Sequence, residues 1–149
     1  GLVDSIQVVF NMFEQRPAAA LFKAGEHSRT GFIARVPLDS GSLVGNWSDE
    51  TPKGWAKDSV PAWLFRDERF LETLKRMRAL QALCQPYYPT LAEAAMRYVL
   101  SAPQLSTLIP GMKNKAEVDM NIVYSDGAAF PAQLAAQLPP HNWPRNFYK

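Results

Sequence analysis

The sequence has little of what several functional classes require. Cys84 is the only cysteine among 149 residues, so no internal disulfide can form and a reducing cytoplasm is the expected setting. No apolar run approaches the roughly 20 residues needed to cross a bilayer. The formal net charge is only +2, and no run of Lys and Arg offers a surface for nucleic acid. We therefore expect a cytoplasmic protein that binds neither membranes nor nucleic acids.

Common catalytic motifs are missing as well. The sequence contains no GxGxxG, P-loop, zinc ligand set or paired-carboxylate motif. Ser40, Gly41 and Ser42 do not have the spacing of a nucleophile elbow. His27 and His141 have no ligand or nucleophile partner at a useful spacing, so we interpret them as surface or packing residues.

Strand-like and helix-like segments alternate along the chain. Short β-branched or aromatic runs at residues 6–10 and 32–36 predict buried strands, the first of them buried on both faces, and the apolar run at residues 105–109 predicts a third strand. Helix-like patterns start at Arg16–Pro17, at Asp67 and at Thr90, and two more cover residues 114–124 and 128–138. This order predicts parallel βαβ units.

Local patterns add detail to the helices and loops. The helix from Asp67 should bury one stripe, and Thr90 with Glu93 should form a capping box for the next helix. The predicted stripe comprises Phe70, Leu71, Leu74, Met77, Leu80, Leu83 and Cys84. Residues 39–61 form a long loop with two tryptophans, Trp47 and Trp55, which together with Trp63 either line a pocket or attach the loop to the body. The proline-rich tail, residues 139–149, should pack as an irregular strap.

Three parallel strands do not complete a domain, because both sheet edges and one face of each element stay uncovered. The chain also begins almost at once with a core strand. We therefore expect it to be part of a larger α/β fold, with residues missing before residue 1.

The turn after the third predicted strand is the most informative feature. An apolar run ends at Pro110–Gly111, and a polar helix-like segment follows. Free N–H groups and the helix dipole at such a junction favour an anion, and Lys113 adds a full positive charge. The turn is a candidate phosphate site, although Lys113 taken alone is more typical of a solvated surface lysine.

Four segments, residues 7–17, 34–41, 109–121 and 143–148, together resemble the C-terminal part of an aldo-keto reductase. The resemblance covers essentially all 149 residues in order. It implies an α/β fold in which residues 1–149 form one segment of a (β/α)8 TIM barrel. This segment would supply strands six to eight, their helices and the C-terminal tail. Ligands of such barrels bind at the carboxyl ends of the strands.

The resemblance also implies a site for NADP (NADPH). Gln7 matches the glutamine that holds the nicotinamide carboxamide. Arg35 stands where many members have a stacking aromatic, and its guanidinium plane can stack similarly. From the residues alone, Arg35 is equally compatible with an ion pair to Asp39 or Glu14. The remaining positions match loops around the pyrophosphate, the adenosine phosphate and the adenine: Leu38 and Ser40, then Gly111, Met112 and Lys113, then Asn121. Glu117 departs from related sequences, which often carry Gln or Arg there.

The family's catalytic Asp, Tyr, Lys and His lie in the half of the barrel that this chain lacks. The resemblance thus implies a nicotinamide dinucleotide site without proton-transfer residues, in an enzyme that reduces a small carbonyl substrate when complete. Two alternatives remain. The short chain is itself the natural product and self-associates as a binding or structural protein, or it is a nucleotide-binding module that keeps only the phosphate site.

Overall fold

A computed structural model describes residues 3–145. The bounds of its strands and helices follow in chain order. They are β1 Ser5–Val9, a π-helical turn Ala18–Phe22 continued by α1 Lys23–Gly25, β2 Gly31–Arg35, 3-10 turns Asp39–Val44 and Thr51–Gly54, α2 Val60–Leu64, α3 Glu68–Cys84, α4 Leu91–Leu100, β3 Leu105–Ile109, α5 Lys115–Ile122, α6 Ala132–Ala135 and a 3-10 turn Pro139–His141.

The strands form one parallel sheet in the order β1-β2-β3. In the register, Gln7 lies opposite Ile33 and Val9 opposite Arg35, while Arg35 in turn lies opposite Ile109. A shift between Phe32 and Ile33 interrupts the β2–β3 ladder. The predicted α/β fold with parallel strands of a partial barrel is confirmed.

The two faces of the sheet differ, and the prediction that the first strand is buried on both faces is wrong. Val8, Phe32 and Ala34 point to the helix-covered side and pack with Phe22 and Val99. Residues on the other side, such as Gln7, Arg35 and Ile109, are exposed. Side chains alternate across a strand, and the described residues place helices on one side only. The apolar runs are therefore buried on one face of the sheet only.

The long helix α3 follows its predicted stripe except at one position. Phe70, Leu74, Met77, Leu80 and Cys84 are buried, whereas Leu71 is 59% exposed. Leu71 directly follows Phe70 and is therefore turned by about 100° away from the core-facing line.

The predicted caps and ends of the helices are only partly correct. Thr90 accepts the Glu93 N–H at 3.2 Å and caps α4, but the Glu93 carboxylate binds Arg97 at 2.8 Å instead of closing a capping box. The helix predicted over residues 128–138 is reduced to Ala132–Ala135. Pro131 disfavours helical geometry at the residue before it, so the helix starts later.

The long segment between β2 and α3 is folded and attached to the body. Trp47 lies 4.8 Å from the ring of Phe65 and 5.9 Å from that of Phe70, and Trp55 is 5.7 Å from Phe70. These two tryptophans pin the segment to the main core, whereas Trp63 is 45% exposed. Within residues 3–145, no helix combines the length and the apolar character needed to span a bilayer.

The tail crosses the body as a strap. Residues 138–145, which we call the C-terminal strap, pack against the loop after β1, and the Trp143 N–H donates to the Phe13 carbonyl at 2.7 Å. Asn146, Phe147 and Tyr148, part of the resemblance, lie outside the described residues.

Candidate functional site

The predicted site residues lie mainly on the segments that follow the three strands. Residues 11–16 follow β1, residues 36–45 follow β2 and residues 110–117 follow β3. We call the last two the β2 corner and the β3 corner. Because β1, β2 and β3 are parallel neighbours, all these segments lie at the carboxyl ends of the strands, on the same end of the sheet.

Gln7 and Arg35 share the open face of the sheet. Their register partners, Ile33 and Val9, put both side chains on the side away from the helices. Neither predicted ion-pair partner of Arg35 is available, because Glu14 binds Arg16 and Asp39 binds Arg145. Among the described residues Arg35 makes no ion pair, so the predicted structural pairing is wrong.

The β2 corner has a backbone that few residue types adopt. Val36, Asp39 and Ser40 have φ angles of 57°, 50° and 56°, and Gly41 has a φ of 106°. Positive φ is uncommon outside glycine, and for a β-branched residue such as Val36 it is an outlier that surrounding contacts must hold. The two positions predicted for the pyrophosphate lie here, Ser40 exposed and Leu38 half-buried.

Asn11 is one of the groups that hold this conformation. It is fully buried, and its amide nitrogen donates to the Val36 carbonyl at 2.9 Å. Its side-chain oxygen accepts the N–H groups of Phe13 and Glu14, each at 2.9 Å. One side chain thus joins the segment after β1 to the β2 corner.

A buried ion pair attaches the C-terminal strap to the same corner. The Arg145 guanidinium donates to the Asp39 carboxylate, which also accepts the Ser42 hydroxyl. The side chains of Arg145 and Asp39 are only 10% and 9% exposed. Burial raises the pKa of Asp39, while Arg145 and Ser42 oppose that rise. A carboxylate this buried needs such partners.

The β3 corner is open by comparison. Gly111, Met112 and Lys113 are exposed, and an added Cβ at Gly111 would meet nothing within 4 Å. Glu117 occupies the helix start: its carboxylate accepts the Lys113 N–H at 2.6 Å and the Asn114 amide at 3.1 Å. An acidic side chain therefore holds backbone and side-chain donors that a phosphate would use. The Lys113 ammonium has no ion-pair partner within residues 3–145.

Asn121 is the predicted residue whose surroundings most suggest a ligand. It is 4% exposed, and its side-chain oxygen has no hydrogen-bond partner among the described residues. A buried acceptor without a donor costs free energy and calls for an explanation, such as a ligand that is absent. The amino group of an adenine would satisfy it.

Three arginines, Arg16, Arg35 and Arg145, line a cleft of about 540 Å³ beside β1. Arg16 is paired with Glu14 and Arg145 with Asp39, whereas Arg35 makes no ion pair among the described residues. The charge of Arg35 favours an anionic ligand here. Among the described residues, no group of three or more His, Cys, Asp or Glu side chains is placed to hold a metal ion.

Sequence reasoning missed Asp39 and Arg145 as a pair. They are separated by 106 residues and share no local motif. Neither residue carries a local sequence signal of the pairing.

Comparisons with known proteins agree with this architecture. The sequence model of the Aldo/keto reductase family matches residues 3–139. No curated protein sequence matched the chain. The glycerol dehydrogenase AKR11B4 from Gluconobacter oxydans superposes with a TM-score of 0.75 at 19% identity, over 92% of this chain and 41% of that one.

The aldo-keto reductase AKR11C1 from Bacillus halodurans gives a TM-score of 0.69 at 18% identity in its holo form. That match covers 100% of this chain and 47% of the other. The apo form of the same protein gives a TM-score of 0.67 at 15% identity. The chain therefore spans less than half the length of these structures, and the likeness concerns the fold.

Proposed function

Because the chain belongs to the aldo/keto reductase family, we propose that it is the cofactor-binding part of an NADP-dependent enzyme that transfers hydride to a carbonyl group. The observation that carries the proposal is the common position of the predicted residues. The β2 and β3 corners follow neighbouring parallel strands, and the buried Asn121 oxygen lacks a donor within the described residues. A phosphorylated dinucleotide has a pyrophosphate and a second phosphate that would match the two corners, and an adenine amino group that would match the Asn121 oxygen.

Each group on the chain has a role in this proposal. The Gln7 amide can both donate to and accept from a carboxamide, and the Arg35 guanidinium can stack on a planar ring. The β2 corner would hold the pyrophosphate, and Lys113 would pair with the phosphate on the adenosine ribose. The bound cofactor supplies the hydride.

The proton would come from elsewhere. The family's Asp, Tyr, Lys and His belong to the half of the barrel that precedes this segment, and we assign no catalytic residue to this chain. We therefore propose that residues 1–149 bind cofactor but do not reduce a carbonyl by themselves, so they require a missing N-terminal half for activity.

Titration of the chain with NADPH, followed by tryptophan fluorescence, tests the proposal. Trp143 lies 4.4 Å from the Arg145 guanidinium beside the β2 corner, so occupancy there should change its emission. We expect a saturable response below millimolar NADPH and a weaker one with NADH. The absence of any response at millimolar NADPH would refute cofactor binding.

A second candidate function is a half-barrel that self-associates without catalysis. Its support is the exposure of large apolar side chains on the open face and on α5: Ile109, Met112, Ile122 and Val123 are 45–59% exposed. A second copy or the missing strands would cover them. Light scattering decides between the two, since a well-folded monomer that binds NADPH contradicts the self-associating protein.

A further inference from the structure

We propose that Arg145 is a positioning residue for the cofactor, acting through Asp39 to hold the β2 corner in the conformation that receives the pyrophosphate. The inference rests on the proposed function and assigns a role to the C-terminal strap. Arg145 need not touch the cofactor for this role.

The β2 corner requires an external restraint. Three non-glycine residues, Val36, Asp39 and Ser40, have positive φ, which is unfavourable for each of them relative to an ordinary backbone. The turn's own hydrogen bonds, such as Leu43 N–H to the Leu38 carbonyl at 3.1 Å, are local and weak in net terms. A loop of this kind keeps one conformation only when its surroundings determine it.

The restraint comes from the strap, and it acts at the centre of the strained segment. Asp39 has positive φ itself and directly precedes Ser40. Its carboxylate is buried and bound by both Arg145 and Ser42. A different backbone conformation at Asp39 would move this carboxylate away from Arg145 and leave two buried charges unpaired, which is strongly unfavourable.

Arg145 is itself held in place, so it can act as an anchor. Its guanidinium lies 4.4 Å from the Trp143 ring centroid and 5.2 Å from that of Phe13. The strap is tied to the segment after β1 at three further points. They are Trp143 N–H to the Phe13 carbonyl at 2.7 Å, Gln15 N–H to the Asn142 side chain at 3.1 Å and the Gln15 amide to the Leu138 carbonyl at 2.9 Å.

The arrangement has a direct consequence for binding. If the corner adopted its binding conformation only a tenth of the time, the apparent Kd of the cofactor would rise about tenfold with no contact to the cofactor lost. Arg145→Gln, which removes the charge but keeps most of the length, should produce this effect.

The test combines amide hydrogen exchange of the full chain with NADPH titration. In Arg145→Gln we expect faster exchange across residues 36–45 and unchanged exchange across α5, together with an NADPH Kd about tenfold higher. Asp39→Asn should reproduce both changes from the loop side. Arg145→Lys, which restores the charge without the planar fork, should give an intermediate Kd.

Arg78→Gln is the matched control. It breaks another Arg–Asp pair, to Asp49 at 2.8 Å, whose side chains are more than half exposed and which involves no residue of the β2 corner. We expect it to change neither measurement. If Arg145→Gln does not fold, the Asp39→Asn and Arg145→Lys variants carry the same test.

The outcomes separate the two proposals. Unchanged exchange in residues 36–45 would overturn the positioning role, and so would faster exchange with an unchanged NADPH Kd, since the pair would then be only structural. A wild-type chain that binds no NADPH would instead refute the proposed function, whatever the exchange data show.

Discussion

The two corners of the candidate cofactor site are built in opposite ways. The β2 corner is strained, buried at Asp39 and Ser42, and linked to distant parts of the chain by Asn11 and Arg145. The β3 corner is exposed, and its principal partner is the nearby Glu117. A recognisable sequence motif and a preformed site are therefore different properties. The Pro110–Gly111 turn is the more conspicuous in sequence, whereas the β2 corner is the more ordered by its contacts.

The largest contrast is expected between two asparagines, one supporting each corner. Asn11→Ala would remove the amide bond to the Val36 carbonyl and leave the N–H groups of Phe13 and Glu14 without their acceptor, so we expect a loss of about 3 kcal/mol in the free energy of unfolding. Asn114→Ala removes an exposed helix cap, which accepts the Glu117 N–H at 3.0 Å, and should cost about 1 kcal/mol. Urea denaturation measures both. Equal losses would contradict the comparison.

Two glycines give the next contrast. Gly45 has a φ of 86°, and a Cβ there would approach the Leu91 Cβ to 2.8 Å, so Gly45→Ala should destabilise the chain by about 2 kcal/mol. Gly111→Ala has open space and should change stability by no more than about 0.5 kcal/mol. The same denaturation experiment compares them, and a larger effect at Gly111 would show that the β3 corner is the more constrained.

A substitution at Glu117 tests whether the β3 corner binds a phosphate. In the proposed site the Glu117 carboxylate, which accepts the Lys113 N–H, would compete with a phosphate for that donor and repel it. We expect Glu117→Gln to lower the NADPH Kd roughly fivefold, equivalent to about 1 kcal/mol, and to leave the NADH Kd unchanged. Parallel fluorescence titrations check this. An equal gain for NADH would mean that the effect does not concern the phosphate on the adenosine ribose.

The smallest effect is expected at an ion pair outside both corners whose carboxylate is half-exposed. Arg97 binds Asp126 at 2.6 Å and holds the pKa of that carboxyl well below its usual range. The stability this pair contributes is therefore present above the unfolded pKa of about 3.9 and is lost as pH falls toward the folded value.

Asp126→Asn should accordingly lower the thermal midpoint slightly at pH 7, with a difference that shrinks below about pH 4. The amide can still accept the Ala128 N–H, which isolates the charge. Thermal melts of both proteins across this range provide the measurement. A difference that stays constant down to pH 3 would rule out the ion pair as its cause.

Much of the fold could be predicted because its signals are local. The strand Leu105–Ile109 was predicted with its observed bounds, and α3 followed its apolar spacing. The errors have physical reasons: Leu71 sits one residue off the core line, and Pro131 delays α6. The prediction that both faces of a strand are buried was wrong, because burial depends on the neighbouring elements and not on the strand itself.

The site was predictable mainly through the resemblance and only in part, since the residues alone indicated just the Pro110–Gly111 turn with Lys113. Gln7, Arg35, Ser40 and Lys113 were predicted from segment matches, and their cofactor roles remain predictions. The left-handed Val36 and the Asp39–Arg145 pair left no signal, because a valine gives no hint of positive φ and the pair spans 106 residues.

The most direct test of the account is hydrogen exchange of the wild-type chain with and without saturating NADPH. Without cofactor, we predict strong protection in residues 36–45 and little in residues 110–117. With NADPH, both corners should gain protection, with the larger gain in the β3 corner because the β2 corner is already ordered. Protection that changes in neither corner, or a free chain in which the β3 corner is the better protected, would contradict the account.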